Sequence, residues 1–64
     1  DYRAAAEAYK KYLEIYPNDH QVLALFGNAL EAAGELNEAR EAYLKVIRLN
    51  PANEEVKKRL EALQ

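Results

Sequence analysis

The chain has 64 residues, nine Lys and Arg against eleven Asp and Glu, no cysteine and one histidine. A single small domain is the most this length allows, and such a domain buries only about 60% of its unfolded surface. Disulfides are excluded, a structural zinc site lacks ligands, and a net charge of −2 with both signs interspersed does not suit a nucleic-acid binder, which needs clustered positive charge. Helix packing or association has to supply the stability. The longest apolar run, Val22 to Phe26, is too short to cross a bilayer, so the expectation is a soluble protein with no membrane partner, no metal and no cofactor, cytoplasmic by default. No charged-then-apolar leader opens the chain. Its first residue is not Met, which points to an excised, processed or engineered chain.

Alanine, leucine, glutamate and lysine fill the stretches between two glycines and two prolines, a composition that favours helix. Four helices and no strand are expected. The first runs from about Tyr2 to Ile15 and stops before Pro17, because the residue preceding a proline is pushed out of helical geometry. Pro17-Asn18-Asp19 forms a turn. Asp19 then caps a second helix from His20 to Ala33, its carboxylate accepting a free backbone N–H at the positive end of the helix dipole. Gly34 closes that helix with a left-handed cap. A third helix, about Asn37 to Leu49, ends at Pro51, and Asn53 caps a fourth from Glu54 to near the end.

The prolines are 34 residues apart, and sliding the chain by that offset aligns Ala5 with Ala39, Glu7 with Glu41, Ala8 with Ala42, Tyr9 with Tyr43, Lys11 with Lys45, Pro17 with Pro51 and Val22 with Val56. These are seven identities in thirty aligned pairs. A fixed period of 34 in helix-turn-helix units is a repeat spacing in which each unit stacks on its neighbours to bury its apolar face.

The segment from His20 to Pro51 resembles a complete tetratricopeptide repeat, with Phe26-Gly27, Gly34, Ala39, Tyr43 and Pro51 in the family's motif places. The physical sense is direct: Gly27 and Ala39 lack bulk, so two antiparallel helices approach closely while Tyr43 fills the adjoining space. Leu23 and Leu30 stand where the family often has Trp and Tyr, and both remain apolar. The resemblance divides the chain into residues 1–17, the second helix of a preceding repeat, residues 18–51, the full repeat, and residues 52–64, a solvating cap. In the cap, Lys57 and Glu61 occupy places that are apolar or glycine in the full unit, and Val56, Leu60 and Leu63 make a single apolar stripe. The fold implied is an all-α fragment of a helical solenoid.

The second helix is apolar around most of its circumference, but at about 100° per residue Gln21, Ala24, Asn28, Glu31 and Ala32 fall on one strip. In the family that strip lines a concave groove that takes a partner's extended segment or helix. By resemblance, the partner-binding residues are Gln21, Ala24, Asn28 and Glu31, continued onto Glu55, Lys58 and Arg59 of the last helix. The family's clamp for carboxylate chain ends uses a Lys and an Asn one turn apart; here Ala24 replaces the Lys and Glu31 adds an acid. A neutral or mildly basic protein or peptide is therefore expected. A merely solvated strip is the plainer alternative.

The first helix carries Tyr2, Tyr9, Tyr12 and Tyr16 along with Ala4, Ala5, Ala6, Ala8, Leu13 and Ile15, more apolar surface than one neighbour needs. Tyrosine suits surfaces that are wet alone and buried on association, so this end is expected to meet an upstream repeat or a second copy, making a homo-oligomer. A structural or engineered scaffold that self-associates and has no natural ligand is the alternative to an interaction module. Catalysis is not expected: His20 has no Ser, Cys or second His to complete a constellation. Glu31, Glu35 and Glu38 read as solvated acids near helix ends, and Lys57-Lys58-Arg59, flanked by acids, reads as a solvated face.

Overall fold

The computed structural model describes residues 1–63; the last position of the expected cap, residue 64, lies outside the described residues. Among the described residues the chain forms four α-helices and no strand: α1 (Tyr2–Ile15), α2 (His20–Ala32), α3 (Leu36–Leu49) and α4 (Glu54–Ala62). Each boundary has a local cause. Asp1 caps α1, its carboxylate accepting from the Arg3 and Ala4 N–H groups at 3.0 and 3.4 Å. Tyr16 (φ −123°, ψ 70°) and Asn50 (φ −142°, ψ 81°) leave helical geometry, as residues before proline must. After each proline turn a side chain opens the next helix. Asp19 Oδ1 accepts from the Val22 N–H at 3.2 Å, and Asn53 Oδ1 accepts from the Val56 N–H at 3.0 Å.

Gly34 takes φ +84°, which frees two backbone donors to turn back: the Glu35 N–H reaches the Leu30 carbonyl at 2.9 Å and the Gly34 N–H reaches the Glu31 carbonyl at 3.0 Å. This is the pairing of a Schellman cap. Ala33 accordingly serves as the cap residue of α2, which ends one residue earlier than expected. The chain re-enters a helix immediately after Glu35, so α3 begins at Leu36 and not at Asn37.

Helix α2 packs between α1 and α3, and α4 packs on α3. The resulting slab measures 26 × 24 × 14 Å. Its core takes Ala6 and Leu13 from α1, Leu23, Ala29 and Leu30 from α2, Ala39, Ala42, Tyr43 and Val46 from α3, and Val56 from α4. Helix α3 contributes the most residues, four, and packs on both α2 and α4. Leu23 and Leu30 fill their places as buried leucines. Val56 is the buried anchor of α4, with Leu60 and Leu63 partly buried beside it, and burial of one valine stabilises by about 1.5–3 kcal/mol.

Candidate functional site

The polar strip of α2 and the facing side of α4 meet over a buried tyrosine. Tyr43 has no exposed surface, and its hydroxyl lies 2.7 Å from Asn28 Oδ1 and 2.8 Å from Glu31 Oε1. The hydroxyl has one proton to donate, so the two acceptors share it. Arg59 of α4 reaches the same Glu31 oxygen, Nη1 to Oε1, at 3.5 Å. Three helices are thereby joined at one carboxylate. Burial first, then the hydrogen bond and charge of Glu31, push the Tyr43 hydroxyl up to about 12, with Arg59 opposing. Three of the expected contact residues, Asn28, Glu31 and Arg59, are thus brought together and half-buried. Ala24 is half-buried against the core, while Gln21, Glu55 and Lys58 are exposed.

Directly beneath, the α2 backbone passes over the Tyr43 ring at Gly27. A Cβ built there falls 2.7 Å from Tyr43 Cδ1 and 3.1 Å from Cζ, inside van der Waals contact, so the close approach of α2 and α3 depends on glycine at this position.

On α1, the four tyrosines have different surroundings. Tyr9 is half-buried against the core, whereas Tyr2 and Tyr16 are exposed. The Tyr12 hydroxyl donates to Asp19 Oδ2 at 2.7 Å, the carboxylate whose other oxygen caps α2. That bond holds the Asp19 carboxyl below its ordinary value, helped by the Val22 N–H, and pushes the Tyr12 hydroxyl up. The Tyr12 and Tyr16 rings lie 5.0 Å apart, tilted by 40°, within the range of aromatic pairs. Nearby, a shallow recess of about 180 Å³ lies between α1, the end of α2 and the start of α3, among Arg3, Ala6, Glu7, Leu30, Ala33, Glu35 and Glu38. Arg3 reaches Glu35 at 3.6 Å.

The tetratricopeptide repeat family model matches residues 1–63. This chain belongs to the tetratricopeptide repeat family. A comparison with curated proteins gave no match. Tetratricopeptide repeats in general are non-catalytic units that bind other proteins or serve as scaffolds. Among the described residues no three of His, Cys, Asp and Glu are grouped to hold a metal, and no helix is long and apolar enough to cross a membrane.

Within this repeat, sequence reasoning named Tyr43 as packing and Asn28 and Glu31 as contacts, without joining them. A signal was present: Asn28 and Glu31 are one turn apart on α2 and flank the side from which Gly27 admits the ring. The Tyr12 bond to Asp19 carried no such signal, because it bridges two helices across a proline turn.

Proposed function

We propose that this chain is a non-catalytic protein-interaction module. It binds an extended segment or helix of another protein across α2 and α4, through Gln21, Ala24, Asn28, Glu31, Glu55, Lys58 and Arg59. The observation that carries this reading is the joint of Tyr43, Asn28, Glu31 and Arg59. It orders polar side chains along the strip before any ligand arrives, which lowers the entropy cost of binding. Glu31 already engages Arg59, so the strip offers Gln21, Glu55 and Lys58 as its freely exposed polar groups. A neutral or mildly basic partner fits that set and the net charge of −2.

Affinity for such a partner is modest. Helix α2 has 13 residues and spans about 20 Å, whereas a stable interface takes roughly 800 Å² from each partner. The test is selection of peptides from a random displayed library against the folded chain, followed by titration against the combined Gln21→Ala, Glu55→Ala and Lys58→Ala variant. These three side chains are exposed, so the fold is retained. Selected peptides should bind the variant about tenfold or more weakly; unchanged affinity would remove the groove as the site.

A second reading, a scaffold that self-associates through Tyr2, Tyr9, Tyr12 and Tyr16, draws support from the exposure of Tyr2 and Tyr16 and of Ile15, which is 71% exposed. Its test is sedimentation equilibrium with helicity followed over a wide concentration range. A monomer that stays folded on dilution rejects it.

A further inference from the structure

The recess between α1, α2 and α3 has an apolar floor and a charged rim. On the floor Ala6 and Leu30 are buried and Ala33 is half-buried. On the rim stand Glu7 of α1, Glu35 at the cap of α3 and Glu38 in its first turn, three carboxylates against the one guanidinium of Arg3. Arg3 reaches Glu35 at 3.6 Å, while Glu7 and Glu38 enter no ion pair among the described residues. The Arg3 side chain is 76% exposed, so its pair with Glu35 is of the weak kind that water and salt loosen.

Size narrows the occupant. At about 180 Å³ the recess has room for about six waters at about 30 Å³ each, and it falls below the roughly 300–1,000 Å³ of small-molecule sites. One long side chain matches it. The three carboxylates are not grouped to hold a metal ion. Charge spread around a rim suits a cation that is itself spread out and carries several donors, as a guanidinium does.

The chain seats a guanidinium at the matching place one repeat on. In the 34-residue register Arg3 and Ala6 correspond to Asn37 and Arg40. Arg40 donates from Nη1 to Asn37 Oδ1 at 3.1 Å and from Nη2 to the Leu63 carbonyl at the end of α4 at 3.4 Å. Where α3 lays down this long side chain, α1 has the single methyl of Ala6, and the space above it is the recess.

We propose that this recess is a docking point for an arginine side chain of another protein, separate from the groove. The methylene stem lies on Ala6, Leu30 and Ala33, and the guanidinium sits among Glu7, Glu35 and Glu38, displacing Arg3 from Glu35. Arg3 is then the competitor held at the mouth. Lysine, a compact and strongly hydrated point charge, fits less well.

The probe is N-acetyl-arginine N-methylamide, titrated into the intact nitrogen-15-labelled chain and followed by amide chemical shifts. The expected result is saturable shifts centred on Ala6, Leu30, Ala33 and Glu35, with affinity on the order of millimolar that weakens as salt is added. The lysine and norleucine counterparts should bind several-fold more weakly. Glu7→Gln together with Glu38→Gln should weaken the arginine probe about fivefold or more, and Arg3→Gln should strengthen it. These three side chains are exposed, so the fold is retained, which helicity checks. The proposal is overturned by shifts that do not saturate or that spread over all the acidic residues, by equal binding of the lysine probe, or by an affinity indifferent to Glu7 and Glu38. Gln21, Glu55 and Lys58 lie outside the recess, so the variant that tests the groove should bind the probe unchanged. A loss there would place the probe in the groove and overturn the assignment.

Discussion

The α1–α2 and α3–α4 junctions lie 34 residues apart and share a proline, a turn and a capping side chain that accepts from the third residue on. They are fastened differently. At the second junction the register place of Tyr12 is held by Val46, which has no exposed surface, and Val56 is buried in the same core. At the first, Tyr12 is 39% exposed and its hydroxyl instead holds the cap Asp19. Where helices lie on both sides, apolar packing secures the turn. Where no described helix covers one side, a hydrogen bond from a residue that tolerates water does the fastening.

The largest expected effect tests the packed side. Val46→Ala removes two buried methyl groups and leaves a cavity in the core, and should lower stability by about 2–3 kcal/mol. That is a large part of the several kcal/mol, on the order of 0.1 kcal/mol per residue, that a domain of this size has. Urea denaturation followed by helicity measures it. Tyr12→Ala at the matching position should cost clearly less, since much of the ring is already in water. A loss equal to that of Val46→Ala would make α1–α2 the tighter junction and reverse the comparison.

The shared features of the junctions were legible in the sequence and the difference between them was not. Pro17, Pro51, Asp19, Asn53 and Gly34 act on the backbone within a few residues, so helix order and nearly all boundaries could be read from neighbours in the chain. The close approach at Gly27 was readable too, because a glycine and an aromatic at these places have a steric reason. What could not be read is which polar atoms meet between helices. Asn28 and Glu31 look like free groups on a wheel, although the Tyr43 hydroxyl lies against both and Arg59 reaches Glu31. Counted by type, the tyrosines of α1 form one set; placed on the helix, Tyr9 turns to the core and Tyr12 to the cap.

A smaller effect separates the two caps by charge. The Asp19 carboxyl lies below its ordinary value in the folded chain. A group depressed in this way adds stability above its unfolded pKa of about 3.9, and that contribution is lost as pH falls through the folded value. Asn53 does not titrate. Asp19→Asn should therefore lower the midpoint of thermal unfolding at neutral pH, with the gap from the unmodified chain closing below about pH 4. A gap of the same size at pH 7 and pH 2 would mean that the first cap acts by geometry alone, as the second does.

The smallest effect isolates the hydroxyl that distinguishes the junctions. Tyr12→Phe keeps the ring and its contact with Tyr16 but removes the donor to Asp19, the leading cause of the depressed carboxyl. The Asp19 pKa, followed by carboxyl carbon NMR through an acid titration, should rise toward the ordinary carboxylate value. It should not reach that value, because the Val22 N–H still donates to the other oxygen. Amide exchange at Val22 should be little changed, since the cap uses Oδ1 and the hydroxyl uses Oδ2. A carboxyl that fails to move on losing the hydroxyl would show that the bond does not persist in water. The α1–α2 junction would then rest on Ala6, Leu13 and half-buried Tyr9 in the core together with the Asp19 cap, and both junctions would be held in the same way, by packing and a cap.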